Sequence, residues 1–69
     1  MNDNVTAAND TIRYYMSETT ANVVRVLDSA VEAADAGNLS LARRELVRAA
    51  RWNAKLARRV ARALMIDLG

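Results

Sequence analysis

The chain has no cysteine, histidine, proline or phenylalanine, and only two glycines among its 69 residues. Without cysteine there are no disulfides and no thiolate metal sites. Without histidine, zinc binding and imidazole-based acid–base catalysis lose their usual ligand and base. There is no glycine-rich phosphate loop, and no apolar run long enough to cross a bilayer as a helix. The opening stretch MNDNVTAAND is polar and acidic, unlike the basic start and apolar run of a secretory signal, so a cytoplasmic location is expected. On that reading the acceptor-like triplets Asn4-Val5-Thr6, Asn9-Asp10-Thr11 and Asn38-Leu39-Ser40 serve as caps and turns, not as sugar sites.

What is present is helix-forming. The apolar fraction is 52%, but fourteen of those residues are alanine, and with so few breakers the composition reads as all-α. A chain this short forms a single domain with a core that is marginal without help. With disulfides and metal excluded, oligomerisation is the help that remains.

The strongest punctuation is Ala36-Gly37-Asn38-Leu39. Glycine suits the left-handed position past a helix end, and Asn38 can cap the next helix. The pattern predicts one helix over about 8–36, a turn at 37–38 and a second helix over about 39–67, with residues 1 to about 5 as a frayed tail. Gly37, Asn38, Leu39, Ala42, Leu46 and Ala49 resemble the middle of a tetratricopeptide repeat. That resemblance spans about a dozen residues with no second repeat, and implies a helical hairpin.

A short turn makes the two helices antiparallel neighbours, with facing residues whose numbers sum to about 75. Ile12 then meets Ala63, Tyr15 meets Val60, Thr19 meets Leu56, Val26 meets Ala49, Ser29 meets Leu46 and Ala33 meets Ala42. The middle layer sets Asn22 against Asn53. Two facing amides can satisfy each other and fix the register, or one or both can turn to solvent. The paired arrangement predicts that Asn53→Leu costs little.

Apolar positions are left over once this seam is filled. Met16, Val23, Leu27, Val47, Ala50, Ala57 and Leu64 are the candidate oligomer interface, and two hairpins pairing into a homodimeric four-helix bundle would bury them.

The charge is divided along the chain. Residues 1–38 carry six acids and two arginines, net −4, whereas residues 39–69 carry eight basic residues and two acids, net +6. Within the second helix, Arg44, Arg48, Arg51, Lys55, Arg58 and Arg62 recur at three- and four-residue steps. On one continuous helix they form a stripe about 80° wide and about 27 Å long. Such like-charged neighbours repel by about 0.2–0.5 kcal/mol per pair. Three readings are open. The stripe can be a solvated face partly neutralised by acids of the first helix or of a partner copy, with Glu32 near Arg43 or Arg44, Asp28 near Arg48, and Glu18 near Arg58 or Arg59 in the same chain. It can dock an acidic protein. It can bind nucleic-acid phosphates without reading sequence, since no polar base-reading side chains flank the arginines. Trp52 borders the stripe. It can stack on a base or fill a partner's pocket, although covering the bundle edge against Arg25 is the simpler role.

Catalysis finds no support. Ser17, Ser29 and Ser40 have no histidine base, Lys55 lies on an exposed row, and Asp28, Glu32 and Asp35 supply too few ligands for a magnesium or calcium site. No cofactor, metal or small-molecule substrate is expected. Neither is a membrane, because the apolar side of the basic helix is mostly alanine. The expected function is therefore that of a small non-enzymatic binding protein, an adaptor or inhibitor acting as a helical-hairpin oligomer. Sequence-independent nucleic-acid binding and a structural role within a larger helical assembly are the alternatives.

Overall fold

Threonine and asparagine side chains compete with the helix for backbone hydrogen bonds, and each long helix expected from the sequence is interrupted close to such a residue. The computed structural model describes residues 2–69. Four helices and no strand are found among them: α1 (Asp3–Tyr15), α2 (Ala21–Asp35), α3 (Leu39–Ala50) and α4 (Ala54–Leu64). A 3₁₀ turn, Met16–Glu18, follows α1. The expected helix over 8–36 is thus two helices. The expected helix over 39–67 is two helices and an irregular tail from Met65.

Every helix begins at a side-chain cap. Asn2 accepts from the Asn4 amide at 2.8 Å, so α1 starts where a frayed tail was expected, and Val5 is already buried. Of that tail, Met1 lies outside the described residues. Thr19 and Thr20 adopt extended backbone, which stops the chain from continuing as helix, and Thr20 Oγ1 accepts from the Val23 amide at 3.4 Å to open α2. Asn38 caps α3 through the Leu41 amide at 3.2 Å, and Asn53 caps α4 through the Leu56 amide at 3.1 Å.

Two helix ends close in the same way. After α2, Gly37 takes φ +83°, and the amides of Gly37 and Asn38 bond back to the carbonyls of Ala34 and Ala33 at 3.0 and 2.8 Å. After α4, Met65 occupies the left-handed region at φ 61°, and the amides of Met65 and Ile66 reach the carbonyls of Arg62 and Ala61 at 3.0 and 2.9 Å. This double closure satisfies carbonyls that a helix end leaves bare. It also turns the tail back, so that Ile66 and Leu68 pack on the core and Arg43 Nε donates to the Asp67 carbonyl at 3.0 Å.

The two breaks lie opposite each other. Asn53 Nδ2 donates to Thr19 Oγ1 at 3.2 Å, which ties the α1–α2 elbow to the α3–α4 elbow. Asn53 is therefore not paired with Asn22, which is exposed on α2. With both elbows at one level, the hairpin folds in half. α1 packs mainly on α4 and α2 mainly on α3, and the fold adds contacts of α1 with α2 and α3 with α4. The largest fully buried side chains are Ile12, Leu27, Leu46 and Val60, one from each helix. The molecule measures 27 × 22 × 17 Å, whereas one unbroken helix over 8–36 would be about 43 Å long.

The fold consumes most of the apolar surface expected at an oligomer interface. Val23, Leu27, Ala57 and Leu64 are buried within the chain's own core. Ala50 is half-buried, and only Met16 and Val47 are exposed. The accessible surface of 4570 Å² is close to the roughly 4,300 Å² expected for a compact monomer of this mass. Val23, Leu27, Ala57 and Leu64 are covered by the chain's own four helices.

Five substitutions test this arrangement in urea unfolding. Asn53→Leu removes both the α4 cap and the bond between elbows, so a loss of about 1–3 kcal/mol is expected, in place of the near-neutral outcome of an Asn22–Asn53 pair. Gly37→Ala should cost about 1 kcal/mol and Met65→Gly should stabilise by up to about 1 kcal/mol, because both positions need the left-handed backbone. Leu27→Ala should cost about 2–5 kcal/mol at any protein concentration, while Val47→Ala stays within about 0.5 kcal/mol of the parent.

Candidate functional site

The inward rows of α3 and α4 determine which cations face water. Ala42, Leu46 and Ala49 turn α3 toward the core, and Leu56, Ala57, Val60, Ala61 and Leu64 do the same for α4. All six stripe residues, Arg44, Arg48, Arg51, Lys55, Arg58 and Arg62, are exposed. They do not form one straight stripe, because the break at Asn53 resets the helical phase between Arg51 and Lys55.

Arg44, Arg48 and Arg51 line a shallow groove along α3 with Val47. A second groove shares Val47 and Arg51, adds Arg58 of α4, and is edged by Leu68 and Gly69 of the folded-back tail. The two adjoin at Val47 and Arg51, and Arg44, Arg48, Arg51 and Arg58 each border one or both. Lys55 and Arg62 turn toward α1. Lys55 lies at a depression with Tyr15 and Glu18, and Arg62 at another with Asp10 and Tyr14. Arg59, one residue off the predicted stripe, borders both and sets its guanidinium 5.1 Å from the Tyr15 ring centroid. Arg43 lines the α3 groove as well. Both arginines were visible in the sequence only as charges beside the row.

Charge pairing leaves this surface largely unneutralised. Among the described residues, two ion pairs lie within 4.0 Å: Arg13 with Asp28 at 3.7 Å and Arg48 with Glu45 at 3.5 Å. The expected pairing of α1 and α2 acids with α3 and α4 cations is absent from these, since Asp28 is held by Arg13 of α1. Arg44, Arg51, Lys55, Arg58 and Arg62 have no carboxylate within that distance. The pair at Arg48 is exposed and of the i, i+3 kind, which contributes only about 0–1 kcal/mol.

Trp52 stands in the turn between α3 and α4 with 58% of its surface exposed. Its cation neighbour is Arg48, whose guanidinium carbon lies 6.0 Å from the ring centroid, in place of the expected Arg25. Arg25 instead shares a depression between α2 and α3 with Trp52, Arg48, Glu45, Asn22 and Ser29. Tyr14 is also exposed, edge-on to Tyr15 at 4.9 Å.

No group of three or more metal-ligating side chains is gathered among the described residues, and none of their helices is long and apolar enough to cross a membrane. The chain matches no protein-family model, no curated protein and no solved structure, so its surface chemistry alone carries the functional reading.

Proposed function

We propose that this protein is a non-enzymatic binding module that holds an anionic macromolecule against the two adjoining grooves bordered by Arg44, Arg48, Arg51 and Arg58. The observation that carries this reading is that, among the described residues, no carboxylate lies within 4.0 Å of Arg44, Arg51 or Arg58, while Arg48 has Glu45 at 3.5 Å. Like charges at helix-neighbour spacing repel, and here the chain's own acids do not offset them. An external anion would. A guanidinium offers a planar fork of donors suited to carboxylate or phosphate oxygens, so both an acidic protein surface and a nucleic-acid backbone fit.

Self-association is not part of this reading. Of the seven residues expected at a homodimer interface, Met16, Val47 and Ala50 retain accessible surface. That is little apolar area for a stable pair, whose interface commonly buries about 800 Å² on each partner. The module is expected to act as a monomer of 7.6 kDa, and sedimentation over roughly a hundred-fold range of concentration should return one species.

The binding surface is tested on heparin-agarose. The parent protein should be retained at low ionic strength and released as salt rises, because released counterions drive such binding. Arg44→Glu/Arg51→Glu/Arg58→Glu should elute in the low-salt wash with unchanged helical circular dichroism. Equal retention of the triple variant, or failure of the parent to bind at low salt, would refute the proposal.

A further inference from the structure

The anionic partner, given the binding surface proposed above, is specified further by Trp52. This side chain is 58% exposed and is not among the residues packed on the core. Its ring forms one wall of the α2–α3 depression, with Arg48 loosely over it at 6.0 Å. Arg48 also lines the α3 groove, so the aromatic wall and the cationic groove meet at one residue. Arg25 adds a second guanidinium at the depression. It is one of only two basic residues in positions 1–38, and the other, Arg13, is engaged by Asp28. Asn22 and Ser29 bring an amide and a hydroxyl to the same place, and Glu45 an acceptor.

We infer that the partner is single-stranded nucleic acid, with its phosphates along Arg44, Arg48 and Arg51 and one base stacked on Trp52. A duplex keeps its bases within its own stack and would use only the groove. An acidic protein side chain supplies charge but no π-face for the indole. Stacking tolerates every base, and Asn22, Ser29 and Glu45 can meet donors or acceptors on whichever base edge is presented. The site therefore combines a cationic track with an aromatic platform, the combination that binds single strands without sequence preference.

Trp52 is the only tryptophan, so its fluorescence reports on the site directly. The probes are an oligothymidylate, a blunt duplex of equal length and polyglutamate, each titrated at low and moderate salt. The oligothymidylate should quench the indole and bind more tightly than the duplex. With a fluorescently labelled oligothymidylate followed by anisotropy, Trp52→Ala should weaken binding by at least roughly five-fold and Trp52→Phe should retain most of it. Thermal unfolding of both variants should match the parent. If Trp52→Ala binds the oligothymidylate as well as the parent, or duplex or polyglutamate binds as tightly, the single-strand assignment falls. The anionic-partner proposal then still stands on the groove variants. If none of the three probes binds at low salt, both fall.

Discussion

Alanine-rich helices approach one another closely but bury little in any single seam, and this constraint shapes the molecule. A simple pair of long helices would leave Val23, Leu27, Ala57 and Leu64 in water. Folding the pair in half places all four inside. Asn53 makes that possible through three roles at once: it stops α3, caps α4 and bonds across to Thr19 in the other elbow. Each bond is modest by itself. Their placement at one level turns two local irregularities into a common fold line, and apolar burial along the new contacts supplies the stabilisation that hydrogen bonds alone would not.

The same folding decides where charge resides. Cohesion comes from one apolar cluster that joins all four helices, and no polar or charged side chain is buried among the described residues. The acids of α1 and α2 are not needed to hold α3 and α4 in place, and two ion pairs lie within 4.0 Å among the described residues. The basic residues are left with exposed side chains on a packed helical scaffold. Their mutual repulsion is a small cost that the core can carry and that a bound anion would remove. Trp52 follows from the elbow as well. One non-helical residue after it is enough to place the ring outside the bundle, beside Arg48 and the mouth of the α2–α3 depression.

Much of the fold was legible one residue at a time. Gly37-Asn38 marked its turn through glycine's access to positive φ and asparagine's capping chemistry, and both operate there. The seam positions Ile12, Val26, Ala33, Ala42, Ala49, Leu46, Leu56 and Val60 are buried. Within each uninterrupted helix, a period of 3.6 brings these positions to one side. The elbows were not legible, because Thr20 and Asn53 fit a polar position in a continuous helix as readily as a cap. An asparagine caps rather than continues only when the interruption is repaid elsewhere, and that repayment comes from side chains distant in sequence.

The sequence by itself determined an all-helical chain, a reversal at Gly37 and an excess of cations in the second half, because these follow from local backbone preference, periodicity and composition. Tertiary structure decided the rest. It settled which apolar rows face each other, that four of the supposed interface residues lie inside one chain, and that the basic row divides into Arg44, Arg48, Arg51 and Arg58 on one side and Lys55 and Arg62 on the other. A single break in helical phase redirects every side chain beyond it, and whether that break forms depends on the burial gained when the two halves close.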